Sequence, residues 1–462
     1  MSVSLVWLRN DLRTDDHPAL SAARARGSVV AVYCLCVGQW RQHDMSDWRL
    51  AFQMRALHNL AARLEALGVP LRILDTGTFA AAPAAVLGLA QDIGASHLEF
   101  IEEYPLDERR RDKETVRLFK QAGLAVQRHA ADALVRPGTL RTAKEAPYTV
   151  FTPFYRKWLT QLPDTKPLPE IEPQAGLDIE SDTLPATLDG VALNFGADLW
   201  PAEPDRAHAR LQDFVGQAME GYPEQRDLPA VDGTSMLSAH LAVGTLSAHQ
   251  ALDAVGRATA GGSEGARSWV AELAWRDFYR HIVALFDRVS FGHNFRVGYE
   301  ALPWRDAPAD LRAWQQGNTG YPLVDAAMRQ LNETGWMHNR LRMVSAMFLT
   351  KHLLIDWREG ERYFMRNLID GDFASNNGGW QWSASTGTDA APYFRIFNPA
   401  SQGQRFDPDG VFTRRYVPEL GDVPAKNLYE PHRGGGVAGY PAPIVDHKFA
   451  RQRALDAFKA LG

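Results

Sequence analysis

The first 130 residues alternate short apolar runs with longer amphipathic ones. Val3 to Leu8, Val29 to Leu35, Leu71 to Leu74, His97 to Ile101 and Leu124 to Gln127 read as strands, bounded by turn residues such as Gly27, Gly68, Gly94 and Gly123. Between them, Ala19 to Arg26, Asp47 to Leu67, Phe79 to Ile93 and Pro105 to Ala122 carry helical character. That alternation predicts a parallel sheet with crossover helices over residues 1–130. The turn after the first run, RNDLRTDDHP, lacks glycine, so the dinucleotide fingerprint is missing. Residues 131–204 are rich in proline (Pro137, Pro147, Pro153, Pro163, Pro167, Pro169, Pro173, Pro185 and Pro201) and predict a long connector draped over a surface. From 205 to 462 the periodicity is helical nearly everywhere, which predicts an all-α domain. Pro322 opens a helix that stops near Gly335, a second helix runs from Met337 to about Asp356, and Gly434, Gly435, Gly436 and Gly439 mark a flexible loop before the last helix.

Bulk properties narrow the class. A chain of 462 residues exceeds what one hydrophobic core usually supports, in agreement with the two-domain reading. Net charge is −5, so no global basic field announces a nucleic-acid partner, and any polyanion site must be local. One candidate is the stretch Arg329 to Arg366, with seven Arg or Lys against four acids, although a solvated helix face would show something similar. Cys34 and Cys36, one residue apart in an apolar run, fit neither a zinc site nor a redox pair and point to a reducing compartment. The leading MSVSLVWLRNDLR meets charges too soon for a signal peptide, and no run reaches transmembrane length, so the expectation is a cytoplasmic protein with no membrane partner.

The chemistry-bearing segments lie in the second half. Asp370 to Ala391, DGDFASNNGGWQWSASTGTDAA, gathers carboxylates, paired amides, glycines and two tryptophans where few aliphatics can pack beside them. Asn376, Asn377, Gly378 and Gly379 read as a helix stop or turn, with Trp380 and Trp382 pointing to different sides; a Trp-anchored loop would also explain the segment. Eight of the thirteen tryptophans fall between Trp269 and Trp382. In SWVAELAWRDFYRH, helical spacing sets Trp269, Glu272, Leu273, Arg276 and Arg280 on one face with Trp275 flanking Glu272. A Glu272 to Arg276 ion pair at i, i+4 is the structural alternative to ligand binding there. In MHNRLRMVSAMFLTK, Asn339, Arg342, Met343 and Ala346 share a face. Thr234, Ser235 and Ser238 in GTSMLSAHL sit at a helix start, where hydroxyls and free amides can bind phosphate or simply cap the helix. No metal-ligand cluster, Walker motif or Ser/His/Asp order stands out. The residues alone describe a helical domain holding a large planar, phosphate-bearing ligand near tryptophans.

These segments carry a resemblance. GTSMLSAHL, ELAWRDFYRH, TGYPLVDAAMRQLNETGWMHNRLRM, DWREGERYF and DGDFASNNGGWQWSASTGTDAAPYFRIFNP occur in the order and spacing of the photolyase and cryptochrome family, and the similarity runs from VWLRNDLR at Val6 to VPELGDVP at Val417. The chain is most similar to class I enzymes for cyclobutane pyrimidine dimers. The resemblance implies an N-terminal α/β, Rossmann-like antenna domain, a linker, and a larger all-α domain holding FAD. It assigns flavin contacts to Tyr222, Thr234, Ser235, Leu237, Ser238, Trp269, Glu272, Arg276, Asn339, Arg342, Asp370, Asp372 and Asn376, with Asn376 facing the flavin N5 and Arg342 paired with Asp370 beside the ring. Trp275, Trp382, Met343, Asn339 and Glu272 would line a pocket for a flipped-out lesion, and Arg226 and Arg340 would contact DNA phosphates. Indole faces stack on a pyrimidine dimer, and a poorly stacked dimer is cheap to extrude.

The implied reaction is light-driven: excited, fully reduced FAD donates an electron to the dimer, the ring splits and the electron returns. Trp380, Trp357 and Trp304 match the family's tryptophan chain for photoreduction, and core packing alone would also account for them. An amide at Asn339, where enzymes for (6-4) photoproducts have histidine, favours the cyclobutane dimer. Asn376 and a chain ending at Gly462 favour repair over the alternative, a cryptochrome-like blue-light photoreceptor. The implied partner is UV-damaged DNA, single- or double-stranded, with little sequence preference, bound by a monomer. His43, Asp107 and Glu108 match positions that bind methenyltetrahydrofolate, which is the expected antenna; because Asp107 replaces an asparagine and Phe291 a lysine, an 8-hydroxy-5-deazaflavin or an empty antenna site stays open as the alternative.

Overall fold

The computed structural model describes residues 2–163, 166–258 and 262–461, so Met1 of the leading segment, residues 164–165 of the connector and Gly462 lie outside the described residues. Two structural units emerge, Met1–Glu220 with Ser235–Asp287, and Gly221–Thr234 with Arg288–Gly462.

In the first unit a parallel sheet is built from β1 (Val3–Leu8), β2 (Ser28–Leu35), β3 (Leu71–Asp75), β4 (His97–Ile101) and β5 (Ala125–His129), in spatial order β3-β2-β1-β4-β5. The register runs Val3 to Ser28 and Leu8 to Tyr33 between β1 and β2, and Ser4 to His97 between β1 and β4. Both central strands are buried along nearly their whole length, which is why they read as continuous apolar runs. The helices are α1 (Pro18–Arg26), α2 (Val37–Gln42), α3 (Asp47–Ala66), α4 (Ala82–Asp92) and α5 (Leu106–Gln121). Of these only α2 has no counterpart in the sequence reading. The order reverses between β1 and β4, the place where open α/β sheets usually open a ligand crevice at the strand ends.

The proline-rich connector is more structured than expected. It contains α6 (Phe151–Leu159) and a two-stranded hairpin of β6 (Thr187–Leu188) and β7 (Val191–Ala192). Pro153 lies in the first turn of α6, where its missing N–H costs nothing. The unit continues with α7 (Pro204–Asp213), and, after the short α8 (Tyr222–Gln225) of the other unit, with α9 (Ser238–Val243), α10 (Ala248–Ala258) and the long α11 (Glu264–Leu285). Gly265 near the start of α11 lies so close to Met219 that an added Cβ would sit 1.8 Å from its carbonyl oxygen.

The second unit is helical: α12 (Pro308–Gln315), α13 (Pro322–Thr334), α14 (Asn339–Met347), α15 (Trp357–Asn367), α16 (Phe373–Ala384), α17 (Pro399–Phe406), α18 (Val411–Tyr416) and α19 (His447–Lys459), with α8. Pro322 does open α13, and Gly335, at φ 70°, ends it. Two expectations fail. The helix expected from Met337 to Asp356 is shorter: α14 passes into a π-helical turn, Phe348–His352. Asn376 to Gly379 do not stop a helix but lie inside α16, because α16 is held by a buried side made of Ala374, Asn377, Trp380, Gln381 and Ala384 rather than by an aliphatic stripe. Trp380 and Trp382 still face different ways, since two helical steps turn about 200°, and Trp380 is buried while Trp382 is half-buried.

Candidate flavin and DNA-lesion site

Each unit carries part of the predicted residue set. In the first, Ser263 caps α11 by accepting from the Ala266 amide. Trp269 is buried against Phe214 at 5.6 Å, and Leu273 is buried one turn on. Arg276 points to Asp132 of the connector: Nη2 donates to Oδ1 at 2.9 Å and Nη1 to the Asp132 carbonyl, while Arg280 Nε donates to Oδ2 at 2.7 Å. One carboxylate thus fixes two guanidiniums of the helix, a pairing across 144 residues that no local pattern signals. Leu237 is buried, and α9 starts at Ser238; Ser235 just before it accepts from Arg210 Nε at 3.1 Å. Glu272 and Trp275 are half-buried, and Phe151 of α6 lies flat on Trp275, with ring centroids 3.7 Å apart and planes 5° from parallel.

In the second unit α14 presents an exposed Asn339 and half-buried Arg342 and Met343. His338 caps the helix, its Nδ1 accepting from the Arg340 amide at 3.2 Å. Burial holds this imidazole down at about 4, with Arg340 and Arg342 working in the same direction and Asp227 against it, so the cap is neutral at pH 7. Arg342 is fixed from two sides: Nε donates to the Met337 carbonyl at 2.8 Å and Nη2 to both oxygens of Asp370 at 2.8 and 3.1 Å. Asp370 is buried and Arg342 only half-buried, which keeps a fixed cation at the edge of this helix. That donor set suits an electron-rich, anionic ring system such as a reduced flavin. Asp372 caps α16 through the Ser375 amide at 2.9 Å, and Asn376 Nδ2 donates to the Glu361 carbonyl at 2.9 Å.

The three tryptophans of the expected redox chain share one core. Trp380 and Trp357 are buried, Trp304 packs on that core half-buried, and α15 lays Gly360 directly on the Trp380 indole. Trp357 Nε1 donates to Asn294 Oδ1 at 2.8 Å.

The basic stretch from Arg329 to Arg366 is largely neutralised within its own unit. Arg329 pairs with Glu419, Arg340 with Asp227, Arg342 with Asp370, Arg358 with Asp356 and Glu300, and Arg362 with Glu359. Arg340 also lies 4.5 Å over the Phe406 ring, and Arg226 5.2 Å over that of Tyr222. Lys351 is buried and donates to the Ala384 carbonyl at 3.1 Å and Ser385 Oγ at 2.9 Å, so it adds no surface charge; burial drives its pKa far down.

In the α/β unit, His43 Nε2 lies 3.2 Å from Asp107 Oδ2 and its ring meets Phe79 edge-on at 5.6 Å. Burial, with Glu103 alongside, pushes the neighbouring Glu108 carboxyl up to about 8, and its inaccessible Oε2 has no hydrogen-bond partner among the described residues. At the strand ends of β1 and β4 buried charges pair with one another over aromatic rings. Arg9 covers Phe100 at 4.5 Å and Trp7 at 5.0 Å, Arg111 covers Trp7 at 5.1 Å, and Asp112 bonds both guanidiniums at 3.1 and 2.8 Å. Among the described residues no group of His, Cys, Asp and Glu could hold a metal ion, and no helix is long and apolar enough to cross a membrane.

Comparison with known proteins agrees with this layout. Residues 4–174 match the family model "DNA photolyase" and residues 269–460 the "FAD binding domain of DNA photolyase". The deoxyribodipyrimidine photo-lyase of Salmonella typhimurium is 44% identical over 474 residues, covering 100% of this chain and 99% of the relative. A bacterial class III photolyase from Agrobacterium tumefaciens superposes with a TM-score of 0.90 at 35% identity, covering 100% of this chain and 98% of the other. An archaeal photolyase from Sulfolobus tokodaii, solved with two FAD molecules, gives a TM-score of 0.82 at 28% identity over 99% of this chain and 100% of that one. With both family models matched and a relative of this identity aligned end to end, the chain belongs to the DNA photolyase family.

Proposed function

We propose that the protein is a deoxyribodipyrimidine photo-lyase that repairs cyclobutane pyrimidine dimers in DNA under light, with FAD as its catalytic cofactor. The observation that carries the reading is the end-to-end identity with a named photo-lyase. The helical region at 205–462 holds the FAD and the lesion, the α/β region at 1–130 serves the antenna, and 131–204 connects them. When bound, reduced FAD supplies the photoexcited electron that opens the cyclobutane ring. Protein side chains bind, orient and exclude water.

Tyr222, Thr234, Ser235, Leu237, Ser238, Trp269, Glu272, Arg276, Asn339, Arg342, Asp370, Asp372 and Asn376 hold the cofactor. The Arg342–Asp370 pair keeps a cation near it without leaving a buried charge unpaired. Trp275, Trp382, Met343, Asn339 and Glu272 receive the dimer, Arg226 and Arg340 meet phosphates, and Trp304, Trp357 and Trp380 form the tryptophan redox chain. Arg340 reaches DNA only by exchanging Asp227 for phosphate, so binding draws on few free cations and depends only moderately on salt.

Methenyltetrahydrofolate at His43, Asp107 and Glu108 is the antenna. The His43–Asp107 contact and the buried Glu108 oxygen beside it, partnerless among the described residues, support that site. The protein acts as a cytoplasmic monomer on single- or double-stranded DNA. Blue light on matched oligonucleotides tests the substrate class: thymine cyclobutane dimers clear and (6-4) photoproducts persist. Clearance of (6-4) products with dimers untouched would overturn it.

A further inference from the structure

The connector helix α6 enters the lesion chemistry in a way that the reading above does not contain. Phe151, its first residue, covers one face of the Trp275 indole at 3.7 Å and 5°. Aromatic pairs left to themselves slide to an offset or edge-on arrangement, so a nearly eclipsed pair is held by its surroundings. Phe278 meets both rings edge-on, at 5.9 Å from Phe151 and 5.6 Å from Trp275. Phe151 also lies 5.6 Å from Tyr155, 9° from parallel, and Tyr155 stacks on Trp158 at 6.1 Å. Trp158 is buried, and its Nε1 donates to Asp277 Oδ2 at 2.8 Å, which ties the far end of the ladder to α11. Four rings thus lead from a pinned interior tryptophan to the half-buried indole of Trp275.

We infer that Phe151 is a positioning residue for damage recognition: with Tyr279 also 5.6 Å from the indole, Phe151 occupies one face of Trp275 and fixes its plane, so that an extruded pyrimidine dimer cannot stack on that face. The inference rests on Trp275 belonging to the lesion pocket. Its physical content is pre-organisation. An indole already held in its bound orientation loses no rotamer freedom when the dimer arrives, and its covered face is closed to the dimer. Ordinary core packing by Phe151 would require only apolar bulk, whereas this role requires a flat ring.

That difference sets the experiment, done with the full-length, FAD-loaded protein in the dark. Binding is measured for an oligonucleotide carrying one thymine cyclobutane dimer and for its undamaged twin. Phe151→Leu keeps the bulk and removes the plane; it weakens dimer binding about fivefold, the loss expected when one side chain must be immobilised on binding, and leaves undamaged DNA unaffected. Phe151→Tyr keeps the ring and binds within about twofold of wild type. In steady-state repair the Phe151→Leu loss falls on KM, with kcat recovered at saturating dimer. Should Phe151→Leu fail to fold, Phe151→Met replaces it as the flexible apolar filler. Wild-type dimer affinity in Phe151→Leu, or an equal loss for damaged and undamaged DNA, overturns the inference. Trp275→Ala separates it from its premise: if that variant loses dimer affinity while Phe151→Leu does not, only the positioning role falls, and if Trp275→Ala keeps dimer affinity, both fall.

Discussion

Glu108 shows how burial sets the charge of a single side chain. Its carboxyl is protonated at pH 7 in the folded protein because burial pushes it up to about 8, whereas the unfolded chain releases that proton near 4.5. The folded state therefore binds the extra proton, and stability falls as pH rises from about 4.5 to about 8. Glu108→Gln, which mimics the protonated acid, is accordingly more stable than wild type by a few kcal/mol at pH 8 and indistinguishable from it near pH 4; urea titrations at the two pH values read the difference. If Glu108 binds the antenna as a neutral acid, the same variant retains folate and Glu108→Ala does not. Asp370 is a buried carboxylate held against a fixed cation. Asp370→Asn leaves Arg342 without its counter-charge and lowers the FAD content of the purified protein, measured by flavin absorbance against protein, at a cost of roughly 3 kcal/mol in stability for the broken pair.

Elements decide which residues meet. Gly360 of α15 has no room for a side chain: an added Cβ would lie 2.1 Å from the Trp380 ring, backbone to core. Gly360→Ala therefore separates α15 from α16, destabilises the fold by about 2 kcal/mol through overpacking and slows photoreduction of oxidised flavin, followed by bleaching under blue light. Asp132→Asn loosens Arg276 and Arg280 together and lowers flavin retention through α11 without touching Trp380. The boundaries of β1 and β4 and the start of α13 were legible in the sequence because apolar runs and the Pro322 and Gly335 signals act locally. The interior of α16 was not legible. Its glycines and asparagines spell a turn, and only tertiary burial of Trp380, Gln381 and Ala384 makes it a helix. The helix α6 was hidden by the prolines around it, and with it the Phe151–Trp275 stack. His338 stood in plain view before Asn339, yet a histidine cap is rarer than the Ser, Thr, Asp and Asn caps that sequence rules look for.

At the scale of the whole molecule, buried neutral histidines make the fold sensitive to acid. Burial holds His240, His281 and His338 down at about 4 and His352 at about 3. Unfolding lets each take up a proton once pH drops below about 6.5, so the unfolded state binds more protons and stability falls with falling pH. The loss runs from pH 6.5 toward 4 at up to about 1 kcal/mol per pH unit for each histidine. A melting-temperature profile between pH 8 and 4 that declines below 6.5 supports this; a flat profile contradicts it. In the folded protein His338 takes up its proton only near pH 4, so the cap of the helix bearing Asn339, Arg342 and Met343, and lesion affinity with it, is lost only at that end of the profile. The most direct test of the account as a whole is repair of a thymine cyclobutane dimer in a short single strand by the purified, reduced protein, in blue light and in darkness. Light-dependent return of thymine absorbance, absent in the dark, is the predicted result. Dimers that persist while bound FAD is present and photoreducible would contradict it and make the protein a photoreceptor instead.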